Sequence, residues 1–278
     1  MRASPVPTAT VTLPDATAEE AYAHVRRLAG RIGARPAGSA AYRRATTYVR
    51  ARFEALGYEV ARQGFRLPQG GRSSNLVARW PGDAEVRLLI GAHLDTVPGS
   101  PGANDNASGV AVLLEVAAAL AEAGGPPSGL ALVAFGAEEV QPGGEHHLGS
   151  EAYVRRMSAG ERDALEMMIS ADMIGKVRRY VSGALRGTPR RAARILARAA
   201  RAEGFRAGVR VLGDISDHGP FALAGVPAAF LWTGWEPNHH RPTDVVRNCR
   251  PRSLVRGAAV LLRLIGERLG QASRRPIR

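Results

Sequence analysis

The chain has 278 residues, 45% of them hydrophobic, with one cysteine and a formal net charge of +13. That is enough apolar material for one large core, and a single cysteine excludes an intrachain disulfide framework and agrees with a reducing compartment. No stretch reaches the roughly 18 uninterrupted apolar residues of a membrane-spanning helix, and the charge does not argue for a nucleic-acid partner. Of 38 basic residues only Lys176 is a lysine, and the arginines are spread along helices, as at Arg190, Arg191, Arg194, Arg198 and Arg201, without interleaved aromatics.

Met1 to Pro14 is polar and proline-containing, without the basic start and apolar run of a secretory signal, so from this start a cytoplasmic protein is expected. Ala18 to Ile32 and Ala41 to Leu56 read as amphipathic helices, the second closed by Gly57. Tyr58 to Leu67 and Asn75 to Trp80 alternate as strands at a half-exposed sheet edge do. The texture then changes. Val86 to Ala92, Leu130 to Phe135, Met167 to Ser170 and Ala228 to Trp232 are short apolar runs without alternation, as central strands covered on both faces require. Between them lie helical patterns, clearest at Ala107 to Ala123, Pro189 to Glu203 and Ser253 to Leu269. The alternation predicts an α/β fold, a three-layer sandwich with a central mixed, mostly parallel sheet and helices on both faces. One domain over 15–270 is expected, between a loose tail at 1–14 and a basic tail at 271–278.

Unusual polar residues gather where the apolar strands stop. His93 and Asp95 follow the LLIGA run, Asp105 lies in GANDNASG, Glu138 and Glu139 follow LALVAF, Asp172 ends MMISAD, and His240 lies in NHHRPTD. In open α/β sheets ligands bind at the carboxyl ends of strands, so these segments converge without a special folding assumption. Of seven histidines only His24 lies in an ordinary amphipathic helix; His93, His146, His147, His218, His239 and His240 fall in polar loop segments. Histidine with carboxylate and no nearby cysteine suits a catalytic zinc site more than a structural one. The five candidates His93, Asp105, Glu139, Asp172 and His240 exceed the needs of one tetrahedral ion. They suit two ions about 3.5–4 Å apart sharing a carboxylate and a bridging hydroxide. Asp95 is placed to accept the second ring N–H of His93, and Glu138 to act as general base on a metal-bound water. Taken singly these residues are ordinary: an EE pair is usually solvated helix surface, and NDNASG alone would be a turn whose Asn106 or Ser108 caps the next helix. The ordered set at strand ends is what carries the reading. Cys249 is expected to be inert.

AHLDTVPGSPGANDNASG, then AEE, ADMIG, SDHGPFALAGVP and HRPTD, resembles the aminopeptidase Y and bacterial leucyl-aminopeptidase family of co-catalytic zinc peptidases, over roughly Ala18 to Gly270. The resemblance implies two Zn2+ per chain, or another divalent ion, with His93 and Asp172 at one, Glu139 and His240 at the other, Asp105 bridging and Glu138 as base. It also implies a cis peptide between Asp105 and Asn106. The substrate is then a peptide or small amide, most simply one that loses its N-terminal residue, with carboxypeptidase or amidohydrolase action on N-acyl compounds as the rival. Glutaminyl cyclisation needs one zinc, and inert receptor relatives lack ligands that are all present here. No lid or dimerisation domain fits between Asp172 and His240.

Two features depart from the family. His239 stands where a tyrosine often precedes the last metal histidine and donates to the developing oxyanion. VQPGGEHHL separates Glu139 from Gly149 and Ser150, where relatives run on in a few residues, and the plain reading of that loop is solvent exposure.

Overall fold

A computed structural model describes residues 16–270 except 84, 177 and 178. The tails expected over 1–14 and 271–278 lie outside the described residues. In chain order the helices are α1 (Ala16–Val25), α2 (Ala40–Ala55), α3 (Ser108–Glu122), α4 (Leu148–Arg156), α5 (Ala159–Ala164), α6 (Arg191–Ala202), α7 (His218–Leu223) and α8 (Pro251–Arg268). The strands are β1 (Glu59–Arg66), β2 (Arg72–Arg79), β3 (Leu88–His93), β4 (Leu130–Phe135), β5 (Met167–Ala171), β6 (Tyr180–Leu185), β7 (Ala207–Leu212) and β8 (Ala228–Trp232). All eight join one sheet in the order β1-β2-β4-β3-β5-β8-β6-β7. The central block β4-β3-β5-β8 is parallel, and β2 and β6 flank it antiparallel.

The missing polar alternation in the central strands has a direct cause. Leu88, Ile90 and Ala92 of β3, with Leu130, Leu132 and Ala134 of β4, face one core, together with residues of α1, α2, α3, α6 and α8. Leu89, Ala131, Val133 and Phe135 face the opposite core, against Tyr153 of α4 and Phe221 of α7. Both faces are dry, so both sets of side chains are apolar. Gly91 is part of the same packing, because a Cβ there would stand 2.3 Å from the Phe135 ring.

The predicted elements shift in places. The first helix breaks at Val25 into a π-helical turn over Arg26–Ile32. β2 starts three residues earlier than its alternation suggests and is not at the edge: it pairs with both β1 and β4 and is buried over most of its length. β1 is the edge strand, open on its outer side. β6, β7, α4, α5 and α7 had no clear signature in the sequence.

β3 is the strand at which the winding reverses. Its crossover through α3 leads to β4 on one side, and the chain then returns to β5 on the other. A crevice opens at the carboxyl ends of strands at such a point.

Candidate metal centre

Each strand of the central block delivers its polar residues to that crevice. His93 is the last residue of β3, Glu138 and Glu139 lie three and four residues past β4, and Asp172 is the first residue after β5. Asp105 sits on the β3–α3 connection and His240 on the loop after β8. Two of them lie within reach of Asp105. Its Oδ1 is 3.1 Å from His93 Nε2, and its Oδ2 is 3.2 Å from His240 Nε2. Beyond those, His93 Nε2 is 3.5 Å from Asp172 Oδ1, and His240 Nε2 is 2.9 Å from Glu139 Oε2. Asp105 therefore turns one oxygen to a His–Asp pair and the other to a His–Glu pair. His239 joins the second group, with Nε2 3.2 Å from Asp105 Oδ2.

The loop that presents Asp105 is held from several sides. The Asp105–Asn106 peptide is cis. Asp244 accepts the Asn104 and Asp105 main-chain N–H groups at 2.9 and 3.0 Å. Asn106 Oδ1 accepts from Gly109 N at 2.9 Å and so caps α3, and its Nδ2 donates to Ala171 O at the end of β5. Ser108 Oγ donates to Asn104 O and accepts from Ile174 N. From behind, the fully buried Arg35 donates to the carbonyls of Leu94, Pro101 and Gly102. Burial lowers its guanidinium to about 10, against the upward pull of Asp95 and Asp105. Arg35 and Asp244 had no assigned role in the sequence reading. The only signals were an arginine in an otherwise small-residue turn and the acidic end of HRPTD.

Asp95 serves differently from the expectation. Its carboxylate stands 3.9 Å from His93 Nδ1, beyond hydrogen-bond range, and its own carbonyl is nearer at 3.3 Å. The carboxylate instead accepts from Glu138 N and Glu139 N at 3.1 and 3.2 Å. It fixes the main chain of the EE pair. The reason is the turn after β4, which points those two N–H groups at the β3–α3 connection.

Most of the long loop is solvent-exposed as expected, at Val140 and over Pro142 to Glu145, but its C-terminal end turns inward. His147 is buried, and its main-chain N donates to Glu138 O at 2.8 Å. His147 Nε2 lies 3.0 Å from Glu138 Oε1, and its Nδ1 lies 3.1 Å from Asp214 Oδ1. Burial works to lower the His147 pKa, but the two carboxylates outweigh it and raise it to about 10. Among the described residues the non-glycine positions with left-handed backbone are Ala137, His147, Met173 and His240. All four lie beside or within the site, where strained backbone commonly marks function.

The charge balance is unusual. Asp105, Glu138, Glu139 and Asp172 are buried together, and among the described residues no lysine or arginine lines their cavity. Glu139 Oε1 and Asp172 Oδ1 are buried without a hydrogen-bond partner. Burial, then the neighbouring Asp105 charge, raises the Glu139 carboxyl to about 8, against the pull of His240. Burial opposes ionisation of Asp105 as well, but His239, His240 and His93 hold it well below the ordinary range. Buried carboxylates with free lone pairs, faced by imidazoles, are a donor set for divalent cations. The two oxygens of Asp105 face separate donor groups.

The family model of peptidase family M28 matches residues 75–265, the span that carries Glu138 and all five candidate metal donors. This chain belongs to peptidase family M28. It is 32% identical over 247 residues to leupeptin-inactivating enzyme 1 of Streptomyces exfoliatus, covering 80% of this chain and 51% of that protein. It is 34% identical over 171 residues to aminopeptidase YwaD of Bacillus subtilis, covering 58% and 36%. The chain thus spans about half the length or less of these curated M28-like relatives. Its fold matches the solved structure of BSAP, a zinc aminopeptidase from Bacillus subtilis, with a TM-score of 0.82, 20% identity and coverage of 92% and 95%. It also matches a glutaminyl cyclase from Porphyromonas gingivalis, with a TM-score of 0.78, 24% identity and coverage of 90% and 98%. Proteins of different named activities therefore share this fold, and the chemistry must be argued from the site. Among the described residues no helix is long and apolar enough to cross a membrane.

Proposed function

We propose that this M28 chain is a zinc-dependent aminopeptidase with two ions, held by His93 and Asp172 on one side, Glu139 and His240 on the other, and Asp105 between. The observation that carries the reading is the division of the Asp105 carboxylate, one oxygen at 3.1 Å from His93 and the other at 3.2 Å from His240. When bound, the ions polarise the scissile carbonyl and make the attacking water acidic. Glu138 takes the proton from that water and delivers it to the departing amine. The Asp95 carboxylate holds its main chain, and His147 holds its Oε1. His239, at the cavity wall beside Asp105, is the donor for the developing oxyanion in place of the usual tyrosine.

The cavity at the site has a volume of about 340 Å³. Its polar floor is the carboxylate and histidine set, and its wall is Met173, Ile215, Phe230, Trp232 and Trp235. The carboxylates suit a substrate ammonium group, and the wall suits a bulky apolar side chain beside it. The favoured substrate is a short peptide with leucine or an aromatic residue at its free N-terminus.

The test is a panel of aminoacyl-arylamides, N-blocked peptides and N-acyl amino acids, run with metal analysis of protein purified without chelator. Two zinc ions per chain and cleavage confined to free N-termini are expected. Cleavage of only N-blocked compounds assigns the carboxypeptidase or amidohydrolase reading. One saturable ion with cyclisation of N-terminal glutamine assigns the cyclase.

A further inference from the structure

His146, His147 and Asp214 form another donor group at the cavity mouth, outside the five residues already described. His146 Nδ1 is 3.0 Å from His147 Nδ1, which is 3.1 Å from Asp214 Oδ1. Two of these residues come from the loop that distinguishes this chain from its relatives, and the third precedes α7.

Without a cation, His147 carries a proton on each ring nitrogen, because the Glu138 and Asp214 carboxylates outweigh burial. Its Nε2 faces the Glu138 carboxylate and takes one proton as donor. Its Nδ1 then faces both a second imidazole nitrogen and a carboxylate oxygen, with at most one proton to serve them. A cation in place of the His147 Nδ1 proton would meet donor atoms of three residues, all within 4.8 Å of one another. Metal–nitrogen and metal–oxygen bonds of about 2.0–2.1 Å at tetrahedral angles place donor atoms about 3.3 Å apart. The observed 3.0 and 3.1 Å are close to that edge length.

We propose that His146 Nδ1, His147 Nδ1 and Asp214 Oδ1 bind an additional divalent transition-metal ion. Coordination at Nδ1 takes the place of one His147 proton and leaves the other on Nε2, where it donates to Glu138 Oε1.

The experiment is a zinc titration of the chelator-stripped full chain, with bound metal counted by equilibrium dialysis and elemental analysis. Wild type is expected to hold one ion more than His146→Ala, whatever the total at the main site. Asp214→Asn provides the same comparison should His146→Ala misfold, and His240→Ala, which disables the main site, is expected to keep the additional ion. Equal metal counts in wild type and both variants overturn the proposal. A total that differs from two in His146→Ala bears on the main site alone.

Discussion

At the residue scale, Glu138 and Asp244 divide chemistry from positioning. Glu138 stands beside the donor set, held by Asp95 at its main chain and His147 at its carboxylate. Glu138→Gln keeps the size and removes the base, so turnover is expected to fall about 10²–10⁴-fold with metal content unchanged. Parallel kinetics and metal analysis check it, and near-normal turnover rules the base out. Asp244 touches no donor atom of the site, yet it accepts the N–H groups of the loop that presents Asp105. Burial first raises its carboxyl to about 6, against those two hydrogen bonds. Asp244→Ala is expected to weaken zinc about 10–100-fold, the usual cost of losing a partner that orients a ligand. Competition with a chromogenic chelator measures it, and an unchanged affinity refutes the positioning role.

At the scale of elements, α1, α2 and α3 are joined by a buried polar group that no catalytic argument uses. His24 Nδ1 lies 2.6 Å from Tyr48 Oη, and His24 Nε2 lies 3.6 Å from Glu115 Oε1. Burial first, with Arg52 adding, lowers His24 to about 4. Burial first, with Glu20 adding, raises Glu115 from 4.5 to about 7. The two act in opposite directions on stability. His24, neutral when folded, contributes stability above pH 6.5 that is lost as pH falls from there toward 4. Glu115 holds its proton in the folded chain after the unfolded chain has released it, so its contribution declines as pH rises from 4.5 through 7. Glu115→Gln is therefore expected to stabilise the protein at pH 8, by about 1–3 kcal/mol, and much less at pH 5. Urea midpoints of the zinc-free proteins at the two pH values test this, and a gain that is equal at both removes the titration argument.

For the molecule as a whole, the proposed metal binding is expected to offset the burial of several carboxylates in one crevice. Asp105, Glu138, Glu139 and Asp172 share one crevice between the two cores of a single sheet. Stripping the ions leaves those charges to repel one another, and binding to the folded state alone stabilises it by about 2.7 kcal/mol per site at a hundred times Kd. For a domain of this size, 1 kcal/mol moves Tm by roughly 2–4 °C. A chelator is accordingly expected to lower Tm by several degrees and added zinc to restore it, with Tm rising as the logarithm of free zinc. A melting curve indifferent to both outcomes contradicts metal binding at the crevice.

The unbroken apolar runs of β3, β4, β5 and β8 announced strands covered on both faces, because burial leaves no room for polar side chains there. The sites at their carboxyl ends were legible for the same reason: a polar residue directly after such a run has to face the crevice. So His93, Glu138, Glu139 and Asp172 could be named as candidates from their place at or just past strand ends, and Asp105 and His240 from the motifs around them. What the sequence could not supply was direction. Asp95 lies two residues from His93, yet its carboxylate caps the EE turn, since that depends on how the β4 end sits against the β3–α3 connection. Arg35 and Asp244 are 70 and 139 residues from Asp105, and only the packed fold brings them behind one loop. His147 looked like a loop residue until the chain's return from β4 placed it between Glu138 and Asp214. Local pattern reports whether a residue is covered; which partner covers it is settled by contacts between segments far apart in the chain, and those exist only once the sheet has closed around them.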